Sequence, residues 1–181
     1  NGTVAPDFTL TDYYGTTTHN LYSYLNQGKT VFVKIFAAHC PSCWSYHQTH
    51  KLQDLYDMYG PQETDEIMVL ALEHDEYNDS TAFTGNHSPW VTAGDWLTGT
   101  PYPLFNVEWP DRDVFDDYNV TYYPVIYKIC PDKLTELIST GASVQQLYQK
   151  VQACPALSTP EIEDLGNIYY DPLSERLMID D

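Results

Sequence analysis

Basic residues are scarce in this sequence: 8 Lys and Arg stand against 26 Asp and Glu, a formal net charge of −18. A field of that sign repels phosphates and anionic headgroups, which excludes nucleic acid and acidic lipid surfaces as partners. Long apolar runs are also missing. None approaches the roughly 20 residues a membrane span requires, so no membrane insertion is expected. The acidic stretch 111–117 has the pattern of a solvated face rather than a calcium loop. Internal repeats are absent. Cysteine is limited to four residues, and no second close pair accompanies Cys40 and Cys43 to complete the usual zinc pattern. An initiator methionine is lacking too, since the chain opens at Asn1. It reads as trimmed of a targeting segment. The few lysines and the four cysteines, two of them far apart at Cys130 and Cys154, suit an oxidising compartment. A secreted or periplasmic location is the expectation. Asn-x-Ser/Thr triplets at Asn1, Asn78, Asn86 and Asn119 are taken as unmodified.

What is present is a globular composition, 43% hydrophobic and 14% aromatic over 181 residues. That suffices for one domain whose core needs no disulfide, so cysteine is read first for chemistry. An N-terminal hairpin with a turn at Gly15 is expected over 6–20, then a helical piece near Leu21–Leu25. Thr30–Phe36 and Ile67–Leu72 are continuous apolar runs of the kind buried parallel strands carry. Between them, residues 42–59 have helical spacing and stop at Gly60-Pro61. The three make a βαβ unit with a right-handed crossover. Residues 74–110, with Trp90, Trp96 and Trp109, lack periodicity and predict a long loop, serving as a small aromatic core or as a partner-recognising lid. A short helix at 114–118, strands at 124–129 and 134–139, and a last helix at 143–153 complete the pattern. The expected organisation is a domain over 1–154 and an acidic linker or tail over 155–181.

The chemistry centres on Cys40-Pro41-Ser42-Cys43, placed between a buried strand and a helix start. Unpaired N–H groups at a helix start stabilise a thiolate on the first cysteine, which marks Cys40 as nucleophile. Cys43, three residues on, is within reach of a mixed disulfide formed at Cys40. Pro41 suits the first helical position. Cys40 is expected at the surface and Cys43 deeper. Other readings of the same residues are a structural bridge in an interaction module, and a metal site, because Cys40, Cys43, His47 and His50 line up as C-x2-C-x3-H-x2-H. Glu73 and His74 stand at the end of the second strand, from which they could reach the site; the surface reading is preferred.

The run Val33-Lys34-Ile35-Phe36-Ala37-Ala38-His39-Cys40-Pro41-Ser42-Cys43-Trp44 resembles the active-site strand and helix of the thioredoxin superfamily. Ala5-Pro6-Asp7-Phe8-Thr9-Leu10 and Tyr122-Tyr123-Pro124-Val125 resemble its TlpA/ResA-like branch of exported proteins. The resemblance spans roughly residues 5–153. It implies an α/β thioredoxin-like fold with a central mixed sheet of four or five strands, helices on both faces and an N-terminal hairpin. It also implies thiol–disulfide exchange with protein thiols or disulfides and no organic cofactor. Cys40 would attack and Cys43 resolve. Pro41, Ser42, Tyr123 and a cis Pro124 would meet an extended substrate. In such a fold the last helix ends beside the strand that closes at Ile129, so Cys130 and Cys154 are expected to form a structural disulfide. Three departures stand out: Lys34 where thioredoxins bury an acid, His39 in place of the usual tryptophan, and the Trp-rich loop in place of a regular helix. Lys34 and His39, if near the pair, would favour a thiolate; the alternative for Lys34 is that its stem carries the amine away from the pair.

Overall fold

The computed structural model describes residues 2–75, 80–156, 168–171 and 176–179. β1 (Thr9–Thr11) and β2 (Thr18–Asn20) form the expected hairpin, with Leu10 opposite His19. Gly15 takes a φ of 68° in the turn between them, a conformation glycine adopts without Cβ clash. Asn20 then caps α1 (Leu21–Asn26) by accepting the Ser23 N–H.

Five strands make the main sheet, in the order β5-β4-β3-β6-β7. β3 (Thr30–Phe36) is central and buried along all seven residues, as its apolar run demands. It pairs in parallel with β4 (Ile67–Glu73) and antiparallel with β6 (Val125–Ile129). β5 (Leu104–Asn106) extends β4 in parallel, and β7 (Thr135–Leu137) closes the other edge against β6. Strand alternation divides the core in two. On one face Phe32, Phe36, Val69, Ala71 and Ile126 pack with residues of α2 (Pro41–His47), α3 (Lys51–Tyr59) and α5 (Val144–Gln152). On the other, Val31, Val33, Ile35, Leu70 and Leu72 pack with α1 and with Val114 and Phe115 of α4 (Asp113–Asp117). The mixed sheet with helices on both faces is the architecture expected. Ser143 and Gln146 start α5 with a reciprocal capping box.

Three elements differ from the sequence expectation. The helix expected over 42–59 is two helices. At the break the Tyr46 and His47 carbonyls accept the Thr49 and His50 N–H groups at 3.0 and 3.1 Å, and the Thr49 hydroxyl and Gln53 Nε2 bond the same two carbonyls at 2.6 and 3.1 Å. His50 turns the corner with a φ of 55°. The loop expected over 74–110 contains a 3₁₀ turn at Ser80–Phe83 and the edge strand β5. Only three residues long and preceded by Pro101 and Pro103, β5 is too short to show alternation. Within 155–181, expected as a linker or tail, β8 (Ile168–Asp171) and β9 (Arg176–Ile179) pair antiparallel. The rest of that stretch, from 157, lies outside the described residues.

Candidate active site

β3 delivers the chain to the cysteines. Past Phe36, Cys40 becomes the N-cap of α2: its Sγ accepts the Cys43 backbone N–H at 3.3 Å, and Pro41 fills the first turn. Sγ also lies 3.1 Å from the Ser42 hydroxyl and 4.0 Å from the Tyr123 carbonyl. The Tyr123–Pro124 bond is cis, as expected, and so is Trp109–Pro110, which the sequence reading did not anticipate. Thus Cys40, Ser42, Cys43 and the Tyr123–Pro124 loop, brought together from α2 and the start of β6, share one small region. Both cysteines carry free thiols. Pro41 and Ser42 are exposed, whereas Tyr123 and Pro124 are half-buried.

The expected placement of Cys40 at the surface is corrected: it is 6% exposed, against 0% for Cys43. The neighbouring carbonyl and hydroxyl cover its sulfur, so the two thiols differ in depth by less than the sequence suggests. Burial pushes the Cys43 thiol far up, and the hydrogen bond with Cys40 raises it further; the positive charge of Lys34 partly opposes this.

Glu73, read from sequence as a surface residue, is 1% exposed, and its Oε1 accepts the Ala38 N–H at 3.0 Å. Glu73 closes the strand β4 and in the folded sheet stands opposite Phe36, which carries it inward. His74 is half-buried, with its ring 5.6 Å from that of Tyr123 and 4.6 Å from Phe115. His39 Nδ1 sits 2.7 Å from Asp75 Oδ2, without hydrogen-bond alignment.

The Trp-rich segment divides into core and surface. Trp96 is fully buried, and its indole N–H bonds the Ala38 carbonyl at 3.2 Å, beside the Ala93 N–H at 2.8 Å. Trp90 and Trp109 are 89% and 72% exposed. The loop therefore clamps the turn between β3 and α2. Trp96 also packs on Trp44 and His47, with ring centroids 4.9 Å away in both cases. These rings cover His47 on α2. His47 is buried between indoles, and burial, helped by the nearby Lys34 and His50 charges, pushes its imidazole down to about 3. His50 lies beyond the helix break. Among the described residues no cluster of three His, Cys, Asp or Glu side chains has a metal-binding arrangement.

Cys130 and Cys154 are joined, with Cα atoms 5.4 Å apart. α5 runs back along β6 as expected, and the Lys128 ammonium donates to the Lys150 carbonyl at 3.2 Å along the way.

A mixed five-stranded sheet, paired cysteines at the head of the helix after its central strand, and a cis-proline loop facing them define a thioredoxin-like domain. The chain belongs to the AhpC/TSA family, whose profile matches residues 1–146. Its fold is that of several solved proteins. The thioredoxin domain of a thiol-disulfide oxidoreductase from Bacteroides vulgatus superposes with a TM-score of 0.55 at 20% identity, covering 83% of this chain and 94% of that one. An exposed lipoprotein thioredoxin from Streptococcus pneumoniae gives 0.56 at 19% identity, covering 81% and 98%. A thiol:disulfide interchange protein from Chlorobium tepidum gives 0.57 at 17% identity, covering 85% and 97%. A search of curated proteins found no significant match.

Proposed function

We propose that this protein is a thiol–disulfide oxidoreductase acting on protein cysteines outside the cytoplasm, of the TlpA/ResA-like kind. The observation that carries the reading is the seat of the Cys40 sulfur, bonded to the Cys43 N–H, touching the Ser42 hydroxyl and facing the Tyr123 carbonyl. The Cys43 N–H donates to the Cys40 sulfur, and the thiolate is the form of a cysteine that attacks in such exchange. Cys40 attacks a substrate disulfide to give a mixed disulfide. Cys43 then attacks Cys40, forming the internal disulfide and expelling the substrate thiolate. Run backwards, the same steps oxidise a substrate dithiol. Pro41, Ser42, Tyr123 and Pro124 form the rim over which an extended substrate segment passes, and no organic cofactor is required. The Cys130–Cys154 bond is structural. It is the kind of crosslink that persists in an oxidising compartment, and it supports the exported location.

A redox titration tests the reading, with a reversible two-electron couple at Cys40–Cys43 as the expected result. Cys40→Ser should abolish exchange. Cys43→Ser should accumulate a covalent adduct with its protein substrate, visible on a non-reducing gel. An inert pair, or exchange unchanged in both variants, overturns it.

A further inference from the structure

The exchange steps make no use of a charge that lies beside the pair. Lys34 is 0% exposed, on the sheet face where Phe32, Phe36 and α2 meet. Its amine is 4.8 Å from the Phe36 ring centroid, 5.1 Å from Trp96 and 6.0 Å from Tyr46. Among the described residues it has no hydrogen-bond partner and no carboxylate forms an ion pair with it. The titratable groups on this face are Cys40, Cys43, Tyr46 and His47 of α2, Tyr102 before β5, and Glu73 of β4. His47 is held neutral, and burial raises Tyr46 and Tyr102 out of the working range. Glu73 has Oε1 committed to the Ala38 N–H. The charges that act on the Lys34 amine are those of Cys43 and Cys40, which come and go with the redox state.

Resting on the dithiol–disulfide reading, we propose that Lys34 is the redox-linked counter-charge of the couple, an amine that gains a proton when the Cys40–Cys43 disulfide is reduced and releases it when the disulfide re-forms. A partner dithiol supplies two electrons and two protons and becomes a disulfide. The Cys40–Cys43 S–S bond breaks, one proton ends on the Cys43 thiol and the other on Lys34, and Cys40 is left as thiolate. Charge is conserved, since the new thiolate and the new ammonium cancel. With the cysteines joined, only aromatic rings oppose the cost of burying an ammonium, and the neutral amine is favoured. With a thiolate present, attraction retains the proton. Burial, set against the cysteine charges, pushes the amine down to about 7, where both forms are within reach at neutral pH. Lys34 contacts neither sulfur at hydrogen-bond distance, so it is a positioning residue acting through its field.

The test uses the full chain with lysine labelled by ¹³C at Cε, the Lys34 resonance being the one missing from Lys34→Met. Titrated from about pH 5 to about pH 10, Lys34 is expected to bind its proton at least tenfold more tightly in the dithiol form than in the disulfide form. Equal midpoints in both forms overturn the inference. A second measurement follows the equilibrium of the pair with glutathione against pH. Lys34→Met should steepen it by up to about tenfold per pH unit, because the variant releases a proton that Lys34 would keep. Lys34→Arg, which holds charge but cannot release its proton, should lose the wild-type profile as well. A wild-type profile retained in Lys34→Met overturns the inference while leaving the exchange reading intact. Absence of any reversible couple in the wild type overturns both.

Discussion

Burial sets the charge of most titratable side chains around Cys40, and Lys34 shows what that means for stability. Its amine titrates at about 7 in the folded protein, against 10.5 as the ordinary value. Between those values the folded chain binds fewer protons than the unfolded one, so stability rises with pH through that window and the cost is fully present below it. The cost is on the order of 3 to 5 kcal/mol. Lys34→Met should remove it: in urea unfolding with Cys40 and Cys43 as free thiols, wild type should be the weaker below about pH 7 and recover relative to the variant toward about pH 10. Parallel pH profiles would contradict the assignment. At this scale, residue chemistry was legible where it depended on local spacing, as with Cys40 and Cys43. It was illegible where the environment came from afar. Nothing around residue 73 in sequence announces that Glu73 will hold the Ala38 N–H, a contact across 35 residues.

Among the elements, the segment between β4 and β5 governs the site most directly, because it holds Ala38 by two hydrogen bonds and lays Trp96 on α2. Its approach is close. A Cβ at Gly94 would meet the Trp44 indole at 2.3 to 2.8 Å, and that ring is stacked on His47 and set edge-on to Trp96. Gly94→Ala should therefore cost about 1 to 3 kcal/mol and shift the tryptophan fluorescence of the native state. An unchanged midpoint and spectrum would mean that Trp44 turns aside freely. The sequence reading saw aromatic residues without periodicity and could not separate core from surface. Trp96 and Trp90 differ by long-range packing, not by neighbours in sequence. The helix break at His50 was hidden for a related reason: helical spacing of apolar residues continues across it, while the Thr49 and His50 N–H groups turn to the Tyr46 and His47 carbonyls three residues back.

For the whole molecule, the Cys130–Cys154 bond ties the end of α5 to the end of β6 across 24 residues. Closing a loop of that length removes unfolded-state entropy worth about 3 to 3.5 kcal/mol. The Cys130→Ser, Cys154→Ser double variant should lose about that much in denaturant unfolding while keeping the Cys40–Cys43 couple, since the two sulfur pairs are separate. A loss of the couple together with stability would show that the crosslink also shapes the site.

The sequence alone determined the central strand, the cysteine motif at its exit, the proline before β6 and the distant cysteine pair. Each is written in residues adjacent in the chain, or in a resemblance that spans it. Tertiary structure alone decided that Cys40 lies covered rather than open, that Glu73 turns inward, and that His47 is sandwiched by indoles. It also decided that the Lys34 amine ends among three rings beside two thiols. The physical reason is common to all four: the charge and exposure of a side chain follow from the groups that displace water around it. Those groups arrive from α2, β4 and the loop before β5, elements brought together only by the packing of the sheet.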